Sequence, residues 1–305
     1  MPASWRPLRS KEQQMTQVVG VVGLGVMGSA MAANLVAAGH TVIGFDTDPR
    51  RRSSAAEAGV RIEDSAGAVG ATSEIVIFSL PTQSALADVV SQVAAQAREG
   101  LLCLETGTFP LAAKTAARDV LAASGIELMD APVSGTGLQA TDGALVVFAS
   151  GSREGFDRAG AVFTAIGRSS HYLGDFGNGS RMKYIANLLV VVHTLAAAEA
   201  HVLGMAAGMD PATVQRLAED STGSSRMFEI RGPMMVIDDY PPAGRLDLLV
   251  KDAKIIKDFA TGAGSPTPLL DAALEVYRRA SAAGMGDFDG AVLCRHLETE
   301  AGLER

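Results

Sequence analysis

The chain has 305 residues, 48% of them hydrophobic and 20% charged, the balance of a globular protein long enough for two domains. Its formal net charge of −8 argues against a nucleic-acid partner, which needs a basic surface, but leaves room for a local basic pocket that holds a small acid. The two cysteines, Cys103 and Cys294, are far apart, and Cys103 sits in the apolar run Leu101 to Leu104. Two buried thiols in a reducing cytoplasm fit this better than a disulfide, although sequence does not exclude one.

Residues 1–17 include Trp5, Arg6, Arg9 and Lys11 and lack the apolar middle of a signal peptide. Residues 1–15 read as a disordered extension or a misassigned start, with Met15 the alternative first residue. Val18 to Val22 is a short run rich in β-branched residues, as in a parallel strand buried on both faces. Gly23-Leu24-Gly25-Val26-Met27-Gly28 follows at once, then a helical stretch to about Ala38 that Gly39 closes. Thr41 to Phe45 reads as a second strand, ending at Asp46. Further strands are expected at Ile75 to Ser79, Leu101 to Glu105, Ile126 to Met129 and Leu145 to Ala149, most of them separated by helical segments. Such alternation predicts an α/β doubly wound, mostly parallel sheet of the Rossmann type over residues 16–177.

After Gly177 the β-rich texture stops. A long helix is expected from about Asn178 to Ala207, and Asp210-Pro211 opens another, with Asp as N-cap and Pro at the first helical position. Arg245 to Thr261 and Leu269 to Ala283 also have helical spacing. Residues 178–305 therefore read as an all-α C-terminal domain that begins with the long interdomain helix. The longest apolar run, Ile185 to Ala198, contains Asn187, His193 and Thr194 and ends at Glu199. It reads as too short and too polar for a membrane span, so a core helix and no membrane partner are expected.

The GxGxxG turn follows a strand and opens a helix, and a carboxylate ends the next strand, which is the context that makes the motif meaningful. Gly23 allows the tight turn, Gly25 lets the backbone approach a pyrophosphate, and Gly28 permits close helix–strand packing. Asp46 would accept hydrogen bonds from ribose hydroxyls and repel a 2′-phosphate, which favours NAD over NADP. Arg50, Arg51 and Arg52 could reach a 2′-phosphate instead, or could be a solvated helix start. NADP thus stays open.

Lys183 and Asn187 are four residues apart and share one side of the long helix. A lysine entering an apolar stretch has its charged form disfavoured and its pKa lowered, as a proton-transferring lysine requires. Its bland alternative is a lysine with a packed stem and a wet head.

Four stretches in order resemble the β-hydroxyacid dehydrogenase family, which includes 3-hydroxyisobutyrate dehydrogenase, tartronate semialdehyde reductase and 6-phosphogluconate dehydrogenase. They are Gly23 to Gly28, Asp130-Ala131-Pro132-Val133-Ser134-Gly135, Gly177 to Asn187, and Lys251-Asp252. The resemblance covers about residues 16 to 300. It implies that Lys183 is the catalytic lysine and that Asn187 helps hold the substrate. It implies that Ser134 and Gly135, with Thr136 beside them, receive the substrate carboxylate, and that Lys251 lies near the nicotinamide. Leu80-Pro81 looks like the family's turn lining the cofactor, and Thr108, in Glu105-Thr106-Gly107-Thr108, matches a contact near the nicotinamide ribose. The implied activity is hydride transfer between NAD(P) and a small β-hydroxy acid or its semialdehyde, by a homodimer or homotetramer. Backbone N–H groups around Ser134-Gly135-Thr136 and the Ser134 hydroxyl could hold a carboxylate without a buried arginine.

The chain departs from the family where Thr136 replaces the second of two adjacent glycines, which leaves the reaction class alone and the substrate open. Leu138-Gln139-Ala140 is also unusual there. Two rivals stand beside this reading: an imine reductase-like enzyme of the same build, and a non-catalytic dinucleotide-binding scaffold. Relatives of both kinds lack the lysine, so Lys183 argues against each. His193 and His201 read as core histidines rather than a metal pair, since no third ligand has compatible spacing. Met205, Met209, Met227, Met234 and Met235 read as core or interface filler.

Overall fold

The computed structural model describes residues 16–303, so the expectations placed on residues 1–15 lie outside the described residues. Strand and helix alternate through β1 (Val18–Val22), α1 (Val26–Ala37), β2 (Thr41–Phe45), α2 (Pro49–Glu57), β3 (Arg61–Ile62), α3 (Ala66–Thr72), β4 (Ile75–Phe78), α4 (Gln83–Gln96), β5 (Leu102–Glu105), α5 (Leu111–Ala122) and β6 (Glu127–Asp130). All six strands pair in parallel, in the order β3-β2-β1-β4-β5-β6. The chain reverses direction across the sheet between β1 and β4, and the crevice at the carboxyl ends there is where such sheets bind dinucleotides. Alternate residues face opposite sides. Val19, Val21, Ile75 and Ile77 enter a core with Met31 and Leu35 of α1, while Val22, Val76 and Phe78 enter a second core with Val90 and Leu121.

A smaller sheet follows, from β7 (Val133–Ser134), α6 (Gly137–Thr141), β8 (Leu145–Ala149), α7 (Arg153–Arg158), α8 (Gly160–Ile166) and β9 (Gly167–Tyr172). Its order is β7-β8-β9, antiparallel then parallel. The sequence did not announce β3, β7 or β9: the first two have two residues each, and β9 exposes Arg168, Ser170 and His171, so it carries little apolar signal.

The remainder is helical: α9 (Asn178–Ala206), α10 (Pro211–Glu219), α11 (Arg226–Ile237), α12 (Leu246–Gly262), α13 (Pro268–Ala280) and α14 (Leu293–Glu300). Asp210 caps α10 as expected, accepting the Thr213 N–H at 2.9 Å. α9 carries Tyr184, Val191, Leu195 and Ala198 into a third core with Ile256, Tyr277 and Leu293. One expectation needs correcting. By length and composition α9 is apolar and long enough to cross a membrane, because the helix extends well beyond the run Ile185 to Ala198. Here it is the central helix of the α-helical half, with Lys183, Asn187, Thr194 and His201 buried along it.

Candidate active site

The glycine turn is built around a φ of +93° at Gly23, whose N–H donates to the Phe45 carbonyl at 2.9 Å. A Cβ at Gly23 would stand 2.2 Å from the Ser79 carbonyl oxygen, and one at Gly28 would stand 1.8 Å from the Gly23 oxygen. Both positions need glycine for the fold itself. Gly25 differs: a Cβ there meets nothing closer than the Arg51 guanidinium at 3.6 Å. Gly25 is the N-cap of α1, has no side-chain cap and is followed by no acid in the first turn. The N–H groups at the start of α1 therefore face open space, an arrangement suited to an anion. Leu24 and Met27 pack against the first core, and Val26 is exposed.

Asp46 is buried at the end of β2. Its Oδ2 accepts the Leu24 N–H at 2.7 Å and its Oδ1 the Asp48 N–H at 2.8 Å, which fixes the carboxylate and leaves lone pairs for further donors. The three arginines separate. Arg50 pairs with Asp48, and Arg52 donates to the Asp46 carbonyl at 2.7 Å. Arg51 alone faces the glycine turn, with Nη1 3.5 Å from Asp46 Oδ2. Leu80 lies beside Gly23 and Pro81 is exposed at the start of the next turn.

Lys183 is 9% exposed. Burial lowers its pKa to about 8; the Asp252 carboxylate opposes that shift, and the charges of Lys251 and Lys114 add to it. Among the described residues its Nζ makes no hydrogen bond or ion pair. Asn187, one turn on, donates from Nδ2 to Asp252 Oδ2 at 2.8 Å. Asp252 Oδ1 lies 3.0 Å from Lys251 Nζ, which donates to the Thr108 carbonyl at 2.8 Å and sits over the Phe109 ring. The Tyr184 hydroxyl donates to the Phe109 carbonyl. The loop after β5 is thus pinned by both α9 and α12, and Lys183, Asn187, Lys251 and Thr108 form one cluster. A cavity of about 410 Å³ opens beside it, bordered by Gln83, Pro110, Lys251 and Lys254.

Ser134 ends β7, and a Cβ at Gly135, whose φ is +153°, would stand 2.6 Å from Leu145 Cδ2. Gly137 packs on Val26, while Gly179 at the start of α9 packs on Pro132. The loop from Pro132 to Gly137 therefore lies between the N-terminus of α1 and that of α9. Thr136 also has a role in the fold. Its Oγ1 accepts the Gln139 N–H at 3.3 Å and its own N–H donates to Gln139 Oε1 at 2.9 Å, a capping box that starts α6. The Thr136 N–H and one lone pair of its hydroxyl are used by the fold, while its O–H remains, with the Ser134 hydroxyl and the Gly135 N–H, as a donor of the loop. A Thr-x-x-Gln spacing at the helix start was the signal for this. Asp252, which the sequence offered only as the neighbour of Lys251, emerges as the group that orients Asn187.

The other candidates stay structural. His201 is fully buried, bonds the Ala197 carbonyl at 2.8 Å and stacks on Phe228, whereas His193 is only half-buried. Among the described residues no three His, Cys, Asp or Glu side chains gather as a metal would need. Cys103 and Cys294 are buried and form no disulfide with each other.

Two family models match. The NAD binding domain of 6-phosphogluconate dehydrogenase covers residues 18–174, and the NAD-binding domain of NADP-dependent 3-hydroxyisobutyrate dehydrogenase covers residues 177–297. The L-threonate dehydrogenase of Cupriavidus necator is 34% identical over 285 residues, 92% of this chain and 96% of that protein. The crystal structure of 3-hydroxyisobutyrate dehydrogenase from Salmonella typhimurium superposes with a TM-score of 0.85 at 31% identity, covering 92% of this chain and 99% of that one. Mycobacterium tuberculosis 3-hydroxyisobutyrate dehydrogenase with L-serine gives 0.84 at 29% identity, covering 93% and 99%.

Proposed function

The chain belongs to the β-hydroxyacid dehydrogenase family and is an NAD(P)-dependent dehydrogenase, and from that premise we propose that it interconverts a small β-hydroxy acid of the 3-hydroxyisobutyrate type and its semialdehyde, with Lys183 as general acid and base. The observation that carries this is Lys183 itself: a buried amine with a pKa near 8 and no internal partner among the described residues, one helical turn from an oriented amide. A bound nicotinamide supplies the hydride acceptor or donor. Neutral Lys183 takes the hydroxyl proton in oxidation, and its ammonium gives the proton back in reduction. Asp252 holds one Asn187 N–H, so the amide's other N–H and its oxygen are presented to the substrate hydroxyl. The Ser134 hydroxyl, the Gly135 N–H and the Thr136 O–H receive the carboxylate. The open N-terminus of α1 would hold the pyrophosphate, Asp46 the adenosine ribose, and Leu80, Pro81, Thr108 and Lys251 the nicotinamide end.

NAD is the preferred cofactor on this reading, because the fixed Asp46 carboxylate would face a 2′-phosphate with its negative charge. Arg51 is the observation that favours residual use of NADP, since it alone of the three arginines lies beside Gly25. The chain also works as a homodimer or homotetramer in this reading, supported by Ile185, Leu189 and Leu203, which α9 leaves exposed. A cytoplasmic location is supported by two buried cysteines that form no disulfide. No nucleic acid or membrane takes part.

The test is reduced-nicotinamide absorbance with L-threonate, 3-hydroxyisobutyrate, glycerate, 3-hydroxypropionate and L-serine, each with NAD and with NADP. Turnover of one acid, faster with NAD, is the expected result. Cofactor binding with no turnover on any acid would contradict the reading and favour a scaffold; oxidation of NAD(P)H by a cyclic imine, assayed beside the acids, with no acid turned over would favour the imine reductase reading.

A further inference from the structure

Lys114 is fully buried on α5, at a position that looks like an ordinary solvated lysine in the sequence Leu111-Ala112-Ala113-Lys114. Its ammonium donates to the Gly107 carbonyl and to Asp130 Oδ1, both at 2.8 Å, and forms an ion pair with Glu105 Oε2 at 2.5 Å. Burial alone would strip its charge; the two carboxylates more than reverse that and raise its pKa. The carboxylates then reach in two directions. Glu105 Oε1 accepts the Gly107 N–H at 2.8 Å, so both polar groups of that peptide residue are held. Asp130 Oδ2 accepts the Ser180 N–H at 2.7 Å and Oδ1 the Ser180 hydroxyl at 2.8 Å. Ser150, hydrogen-bonded to the same aspartate, accepts the N–H groups of Gly177 and Gly179. The α9 N-cap, Gly177, has no side chain to do this, so the N–H groups at the start of α9 are satisfied by Asp130 at the end of β6 and by Ser150 just after β8. A carboxylate at that end also suits the helix dipole.

We propose that Lys114 is a positioning residue of the hydride-transfer site: it joins the cofactor-side loop Gly107–Phe109 and the first turn of α9 into one polar unit, so that Thr108 and Lys183 keep a fixed relative placement. This rests on the dehydrogenase reading. Lys183 lies one turn beyond Ser180, and Thr108 follows Gly107 directly, so the joint touches both sides of the site without entering it. The charged groups acting on Lys183 are Asp252 and Lys251 from α12 and Lys114 from α5, so the joint also sets part of the lysine's electrostatic surroundings.

The test uses the full chain and two variants. Ser180→Ala weakens the joint at α9 alone, removing the hydroxyl bond to Asp130 Oδ1 while the backbone N–H bond to Oδ2 stays, and Lys114→Met/Glu105→Gln removes the ammonium together with one carboxylate charge. Hydrogen exchange is followed on the peptides spanning 105–110 and 177–184. Acylation of the Lys183 amine is followed against pH, and kcat and KM are measured on the best acid. In each folded variant exchange rises in both peptides together. In the double variant the Lys183 amine titrates higher than in the wild type, because a positive charge that opposed its protonation is gone. Misplacement lowers kcat about 10- to 100-fold while KM stays within about threefold. Exchange that rises in one peptide only, or a folded variant with wild-type kcat and unchanged Lys183 titration, would overturn the proposal. Should the double variant not fold, the paired exchange in Ser180→Ala decides. Should the wild type turn over no acid, the dehydrogenase reading fails, while exchange and lysine titration still judge the joint.

Discussion

Asn187 Nδ2 and Asp252 Oδ2 are 2.8 Å apart, so a carboxylate on α12 holds the amide that α9 brings into the site. The same carboxylate supports the charged form of Lys183. Asp252→Ala would therefore release the amide and withdraw that support. We expect kcat/KM to fall about 10- to 100-fold, as for a misaligned positioning group, and the lysine limb of the pH profile to move to lower pH. Steady-state kinetics across pH 6 to 10 check both; an unmoved limb would show that Asp252 does not act on Lys183.

The pH dependence of the wild type has a sign that follows from the same lysine. With its pKa near 8, Lys183 is neutral above that pH and charged below it. Oxidation of the hydroxy acid should speed up as pH rises through about 8 and then level, and reduction of the semialdehyde should fall over the same range. Parallel profiles in the two directions would contradict the assignment.

Gly25 and Gly28 separate function from folding. Alanine at Gly28 would drive a Cβ to 1.8 Å from the Gly23 oxygen, whereas alanine at Gly25 meets only the Arg51 guanidinium at 3.6 Å. Gly28→Ala should lose about 1–3 kcal/mol of stability through forced overpacking. Gly25→Ala should keep the wild-type Tm yet weaken cofactor binding about tenfold or more, about 1.4 kcal/mol. Thermal unfolding beside a cofactor titration distinguishes them.

Gln139→Ala should free the Thr136 N–H and loosen the carboxylate loop. We expect KM for the acid to rise about 3- to 10-fold, matching the roughly 1 kcal/mol a capping group contributes, with the cofactor dissociation constant unchanged. Equal loss in both constants would place Gln139 in the cofactor site instead.

How much of this was legible in the sequence differs residue by residue. The strand–turn–helix at Val18 to Ala37, the carboxylate at Asp46 and the pair Lys183 and Asn187 could all be read, because each signal is local: a β-branched run, three glycines, an i,i+4 spacing. Lys114 could not. Its carboxylates stand 9 and 16 residues away at the ends of two different strands, and only the parallel sheet brings them to one point. Asp252 was visible as a charged residue on a charged helix face, but its partner lies 65 residues earlier. α11 escaped notice as a separate helix, since Pro233 and Gly232 interrupt its pattern, and Arg231 within it is buried against Asp289 rather than solvated. The Thr136 capping box was legible by spacing, and the departure from a two-glycine loop drew attention to the side chain's size instead.

The most direct test of the central claim is Lys183→Ala, assayed at pH 8 in both directions on the best acid and its semialdehyde, beside a cofactor titration of the same preparation. The account predicts a loss in kcat of about 10²- to 10⁴-fold, the range for a removed general acid–base group, with cofactor affinity within about threefold of the wild type. Turnover within tenfold of the wild type, with the cofactor still bound, would contradict it.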